Sequence, residues 1–469
     1  MAYTEFYVQT TGSNLNAGST TADGAAFTFA SGTWAQATRI FTLAGADLSG
    51  VTVGMFASVY ANGSTVTGYV GRISAVDDTL DTITIDATAI AGTAPTDGTG
   101  DRTLKVGGAW DGPATTEDFP FGFITAALTN SGGDFPRVNI KSGVTYTITG
   151  AVAHANNGPI RFQGYTTSVG DGGKATFDGG TSGASYVMLT VSGTNTDLAD
   201  LIFQNNGATG NSSGISLSGA ECTVTRVVVN SVRGHGITSS AVAQVVSCET
   251  YACNQSNTSA FAGFNNTATG TTYRRCIAHD NTGSNTAGFL TNVTATYIDC
   301  IADTNGGKGF VNSSTAQGTY LQCDAYANTG DGMDFTGASA TSLVVENCNF
   351  IANGGYGINS SGSAVRNGAI RNCGFGSGTA ANSSGGIVTA IGAVNVTGSV
   401  TYASNLTPWT APTTGNFNVT LATAIAAGYG VFTETAASYT GTLGVPVIGA
   451  SQADASSSGG GEVSSGYIV

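Results

Sequence analysis

The chain has 469 residues, enough for two or three domains, with 69 glycines, 41% hydrophobic and only 9% charged residues. Its formal net charge of −14 argues against nucleic acid as a partner, and no apolar run approaches the length of a transmembrane helix. The opening MAYTEFYVQTTGSN has neither a basic start nor an apolar core, so synthesis in the cytoplasm without a secretory signal is expected.

In chain order, a strand EFYVQT (5–10) and the polar GSNLNAGS predict a strand and linker over 1–24. Residues 25–104 have a different texture: RIFTLAG, VTVGMFASVYA, TVTGYVGRISAVD and DTITIDATAIA alternate apolar with polar residues between polar turns. That pattern predicts a small antiparallel β-barrel or sandwich, suited to capping an open end or attaching the chain to something. Over 105–150, an amphipathic segment from Phe121 to Leu128 is expected to cover the first rung of the coiled region C-terminal to it, and RVNIKSGVTYTITG to supply that region's first strands. The GDGG of residues 170–173 lacks a helix start or lysine at phosphate-loop spacing, and predicts a tight loop.

From Leu198 to Ile387 the sequence repeats. Cys248, Cys276, Cys300, Cys323, Cys348 and Cys373 are 28, 24, 23, 25 and 25 residues apart, the signature of a solenoid. Three residues before each cysteine stand Val245, Tyr273, Tyr297, Tyr320, Val345 and Ile370, and five after the cysteine slot come Asn206, Asn281, Asn305, Asn328 and Asn353. Short strands, glycine turns and variable loops at constant period describe a parallel β-helix over 105–405. Identical positions then stack about 4.8 Å apart. The cysteines become a core ladder of free thiols, since parallel Cβ vectors disfavour the disulfide torsion, and the asparagines an amide ladder. Cys253 replaces an asparagine in that ladder. Paired with Cys248 it makes a weak metal motif, having no second pair or histidine cluster near it, so neither a metal nor a cofactor is expected.

Residues one and three after the cysteine point outward. The first outward column runs Ile202, Val228, Glu249, Ile277, Ile301 and Asp324, and its exposed apolar members suit a homotypic contact. The second brings Tyr251, His279, Asp303 and Tyr326 into one strip. A carboxylate beside a histidine is suited to general acid–base work, and tyrosines to stacking on sugar rings. Just before the cysteine slots, Asp200 and Arg226, and Arg275 and Asp299, predict cross-rung ion pairs that fix register. His154 has no partner evident in the sequence, and His235 reads as a solvated turn residue.

The chain resembles the right-handed parallel β-helix, or pectin-lyase-like, superfamily. The likeness rests on FYVQTTGSNLNAGS, on GYTTSVGDGGKATFDG, and on the repeated Asn-x-Gly-x-Gly turns NGGYGI (353–358) and NGGKGF (305–310). TPWTAPTTGNFNVTLATAIAAGYG and PVIGASQ (446–452) are similar to the closing segment of such proteins, and predict a C-terminal cap over 406–452 before a Gly/Ser-rich tail at 453–469. The resemblance covers about residues 105–452 and implies fold more than function. With few acid–base residues in view, the expectation is a noncatalytic structural protein of a phage virion or filament, of tailspike, fibre or capsid-decoration type. Its expected partners are other virion proteins, further copies of itself (a trimer by resemblance) and surface polysaccharide. The alternatives are a polysaccharide lyase or glycoside hydrolase of this fold, and a bacterial surface adhesin.

Overall fold

The computed structural model describes residues 3–9, 22, 25–62, 69–86, 94–108, 121, 135–155, 157–257, 261–284, 286–312, 317–335, 343–359, 368–371, 373–375, 394–397, 400–401, 409–411 and 416–419. The GSNLNAGS stretch, residues 122–128, Ile387, most of the 406–452 cap and the 453–469 tail lie outside them. The fold is all-β, with a closed six-stranded antiparallel barrel and a long solenoid of three parallel sheets. Internal packing divides the chain into residues 1–208 with 214–228, and residues 209–213 with 229–469.

The first unit contains the barrel. Its neighbours run Phe27–Ala35, Ile40–Thr42, Thr82–Ile85, Tyr69–Asp77, Phe56–Ala61 and Gly98–Val106, which closes back on Phe27–Ala35. Period-two alternation builds the core: Ile83 and Ile85 turn inward to meet Trp34, Phe41, Val59, Ile73 and Leu104. Closure removes every sheet edge. Close approach requires glycine at Gly71, where a Cβ would stand 2.5 Å from Cγ2 of Ile85.

The strand Tyr3–Val8 precedes the barrel in sequence, yet pairs in parallel with Phe135–Lys141, which comes after it, Phe6 opposite Val138 and Val8 opposite Ile140. The barrel is therefore inserted within a rung of the solenoid. Arg137 pairs with Glu5, and the Asn139 amide donates to the same carboxylate at 2.7 Å. Phe121 is buried against Phe162, Phe177 and Phe203, with ring centroids 4.8, 5.3 and 6.1 Å away. In the GDGG loop the Asp171 carboxylate accepts the backbone N–H groups of Thr166, Thr167, Ser168 and Gly173. Those donors hold its pKa well below the usual range and are consumed in closing the loop.

In the second unit each turn adds one strand per sheet in constant register. Tyr273, Tyr297, Tyr320, Val345 and Ile370 are successive partners, as are Phe264, Phe289, Phe310, Met333 and Ile358. The Tyr273–Tyr297 and Tyr297–Tyr320 rings stack with centroids 5.0 Å apart, and the Phe264–Phe289–Phe310 rings 4.9 Å apart. The two stacks meet edge to face, Phe289 on Tyr297 at 5.6 Å, each such contact adding about 0.5–1.5 kcal/mol beyond area burial. All eight cysteines are buried and free. Burial pushes the thiols of Cys276, Cys323 and Cys373 up.

The tight corners have a device that residue types do not advertise. The residues before Cys248, Cys276, Cys300, Cys323 and Cys348 (Ser247, Arg275, Asp299, Gln322, Asn347) and those before Asn281, Asn305, Asn328 and Asn353 (Asp280, Thr304, Ala327, Ala352) adopt φ between 49° and 57°. None is glycine, and a Cβ in this left-handed region costs roughly 1–2 kcal/mol. Replacing Ala327 or Ala352 by glycine removes that clash at some cost in chain entropy. Each substitution is expected to raise stability by about 0.5–1 kcal/mol, read as a higher urea midpoint.

Candidate functional site

The strands Glu249–Tyr251, Ile277–His279, Ile301–Asp303 and Asp324–Tyr326 lie side by side in one parallel sheet. Their register places Tyr251 beside His279, His279 beside Asp303, and Asp303 beside Tyr326. One side chain per rung is thereby gathered into a strip, each strand being three residues long and fixed at both ends by a left-handed corner.

His279 is the hub. Its Nε2 lies 2.9 Å from Oε1 of Glu249 and its Nδ1 2.9 Å from Oδ2 of Asp280. The Tyr251 ring stacks on it at 5.1 Å and 19°. Burial disfavours the imidazolium, but the hydrogen bonds and charges of Glu249 and Asp280 outweigh it, and the pKa is raised. When the ring is protonated, both nitrogens donate, one to each carboxylate. Glu249→Gln is expected to lower the His279 pKa, as followed by NMR titration of its ring protons.

Asp303 differs from the other carboxylates. It is 8% exposed and its Oδ1 makes no hydrogen bond. Burial, reinforced by the Asp280 charge and opposed by His279, pushes its pKa up to about 7. Asp280 itself accepts a hydrogen bond from the Thr304 hydroxyl at 2.9 Å. Burial likewise raises Tyr326, with the Asp303 charge adding to it. A carboxyl that keeps a proton near neutral pH, beside a histidine clamped by two carboxylates, is equipped to donate that proton.

The alternation that predicts direction does not predict depth. The column Ile202, Val228, Glu249, Ile277, Ile301 and Asp324 is not an exposed apolar face: Val228 is 6% exposed, Ile301 7% and Asp324 0%, while Ile202, Glu249 and Ile277 are half-buried. Stacking about 4.8 Å apart sandwiches each outward side chain between its neighbours, and Asp324 also accepts the Asn349 amide at 2.9 Å. Arg226 grips Asp200 with two bonds of 2.6 Å. Asp299 and Arg275 form no ion pair. Asp299 is buried instead, with a pKa pushed up to about 7 by burial against the opposing charges of Arg275 and Arg274. His235 is not a solvated residue: its Nδ1 accepts the Ala262 N–H at 2.9 Å, Phe261 packs edge-on at 4.8 Å, and burial lowers its pKa to about 4. His154 is buried, with Nδ1 2.6 Å from the Phe121 carbonyl. Among the described residues no group of three His, Cys, Asp or Glu is arranged to hold a metal ion, and no helix is long and apolar enough to cross a membrane.

These shifts fix a pH dependence of stability. Asp299 and Asp303 have folded pKa values above those of unfolded chains, so the fold binds their protons more tightly. Their contribution is complete below about pH 4 and is lost as pH rises through about 7. The raised His279 contributes in the same direction, its stabilisation being lost above its folded pKa. The lowered His235 works in the opposite direction, its stabilisation growing as pH rises from about 4 to about 6.5, so thermal midpoints are expected to fall between about pH 6.5 and about pH 8, and the Asp299→Asn/Asp303→Asn double variant to flatten that dependence in a differential scanning series.

No family model and no curated protein matches the chain. Among solved structures it is similar to pectate lyase Pel9A, at 16% identity and a TM-score of 0.47, over 68% of this chain and 88% of that one. It is also similar to the A-module of the Azotobacter vinelandii mannuronan C-5 epimerase AlgE6, at 13% identity and 0.39, over 58% and 91%. A third is the enzymatically active domain of tailspike protein 2 from bacteriophage CBA120, at 14% identity and 0.40, over 76% of this chain and 54% of that one. The expectation weighted against an enzyme is corrected by these matches, since enzymes are prominent among the proteins that share the fold. A small number of acid–base residues does not itself argue against a site, because stacking can gather one from single side chains on adjacent rungs. At this level of similarity the likeness is one of fold: the chain is a right-handed parallel β-solenoid of the kind found in pectate lyases and phage tailspikes.

Proposed function

We propose that this chain is a glycan-cleaving enzyme whose proton donor is Asp303. The observation that carries the reading is that carboxyl: buried, with an unpartnered oxygen, holding its proton to about pH 7, and next in its column to a histidine fixed by Glu249 and Asp280. Tyr251 and Tyr326 bracket the pair one rung before and one rung after, where aromatic rings can bind sugar faces. The test is incubation with a panel of acidic and neutral polysaccharides, following reducing ends and chain length. Release of product by the parent chain, absent in Asp303→Asn, supports the reading; no release from any polysaccharide overturns it.

A second reading concerns setting, and the inserted barrel favours it. Residues 25–104 serve there as an attachment domain that joins the solenoid to a virion or other extracellular assembly, with several copies per site and a trimer implied by resemblance. A barrel anchored within a rung at both ends would transmit an attachment without adding to the strip. This reading expects multimers by light scattering and retention of the chain on purified particles. A monomer absent from particles would refute it.

A further inference from the structure

We propose that two copies of this chain associate face to face and antiparallel through a sheet of the solenoid other than the one that carries Asp303. The strands Thr271–Arg274, Ala295–Ile298, Gly318–Leu321 and Leu343–Glu346 are successive neighbours in that sheet. Alternation buries Tyr273, Tyr297, Tyr320 and Val345 and turns two columns outward. Register makes the first column Thr272, Thr296, Thr319 and Val344, and the second Arg274, Ile298, Leu321 and Glu346. All eight are half-buried. The hydroxyls of Thr272, Thr296 and Thr319 have no hydrogen-bond partner among the described residues and are open to solvent.

Short β-branched side chains keep the first column low, so a second sheet can pack over it at about 10 Å. The second column selects the occupant. Along the solenoid it reads positive, apolar, apolar, negative, an order that is complementary to its own reverse. A two-fold axis parallel to the strands reverses the order in the second copy and leaves the columns in place. Arg274 then faces Glu346 of the second copy, Ile298 faces its Leu321, and Thr296 faces its Thr319, each pair occurring twice. A two-fold axis along the solenoid sets Arg274 against a threonine and Glu346 against a valine instead, so charge favours the antiparallel arrangement. The Glu346 carboxylate is already held by Arg371 at 2.8 Å, which lowers the ordering cost of the new contact. With the strands Ala243–Val246 and Gly368–Arg371 on either side, the face spans six rungs, about 24 Å. That is small for a permanent interface, and a dissociation constant of roughly 1–100 μM is expected.

The test is sedimentation of the full chain over a concentration series spanning the micromolar range, where a dimer is expected to grow in. Arg274→Glu and Glu346→Arg each set like charges against one another, and each is expected to weaken association by roughly 10-fold or more. Mixed in equal amounts, the two variants should associate again, because each supplies the charge that the other lacks, and their recovery shows that both are folded. The double variant Arg274→Glu/Glu346→Arg should dimerise by itself, which only the antiparallel arrangement allows. Thr296→Arg puts charge and bulk at the centre of the face without removing a hydrogen bond, and is expected to leave a folded monomer. A monomer of the parent chain at every concentration overturns the inference. So does association that survives both Arg274→Glu and Thr296→Arg, or single variants that circular dichroism shows to be folded and that mixing does not restore.

Discussion

Asp303→Asn is expected to lower glycan cleavage by about 10²–10⁴-fold, the range a positioned general acid contributes, with little change in substrate binding. Asparagine keeps the shape and removes only the transferable proton. The pH profile is the sharper readout. An acid that works protonated loses function as pH rises through its pKa, so kcat/KM of the parent chain should fall on a limb near pH 7, the value to which burial and the Asp280 charge push Asp303. Asp280→Asn removes the second of those causes and should move the limb to lower pH. A merely structural Asp303 would leave the limb where it was while lowering all rates alike. Asp303→Glu, which retains the proton but shifts it, is expected to recover part of the rate.

The solenoid was legible because its period is written in residue identity. Cysteine, tyrosine and asparagine recur at fixed offsets, and the register pairs them rung by rung. The strip Tyr251, His279, Asp303 and Tyr326 was legible for the same reason, since alternation along three-residue strands fixes the direction of each side chain. The depth of Asp303 was not, because burial depends on what stacks above, below and beside it. Nor was the part played by Asp280, whose left-handed φ of 49° turns the corner just after His279 and lets its carboxylate reach back to Nδ1. The corner residues, among them Ser247, Arg275, Asp299, Gln322 and Asn347, share a backbone conformation and no side-chain type, so the sequence carries no signal for them.

The amide ladder leads to the largest expected effect on stability. Asn328 is 1% exposed and is bonded on every side. Its Oδ1 accepts the backbone N–H of Asn305 at 3.1 Å and the side-chain amide of Asn305 at 2.8 Å, while its Nδ2 donates to Oδ1 of Asn353 at 2.9 Å and to the carbonyl of Ala302 at 2.9 Å. The same pattern repeats from Asn281 to Asn305, so each amide ties three consecutive rungs. Asn328→Ala would strand two buried donors of Asn305 and take the amide donor from the Ala302 carbonyl, while Oδ1 of Asn353 keeps the backbone N–H of residue 328 at 3.1 Å. A single unsatisfied buried group costs about 1–3 kcal/mol, and the three share one void, so the loss is expected to be about 3–5 kcal/mol and less than additive. Asn328→Asp keeps the acceptor oxygen and loses the donors, and should fall between parent and alanine at low pH and nearer to alanine when ionised. Because each rung of a solenoid is stabilised chiefly by its neighbours, the damage should be local: urea unfolding should show an early transition, and hydrogen exchange should quicken in Ile301–Asp303, Asp324–Tyr326 and Asn349–Ile351 before the barrel strands respond. Uniform loss across both regions would mean that the solenoid and barrel unfold as one cooperative block, and that the ladder steadies the whole chain rather than the rungs that carry Asp303.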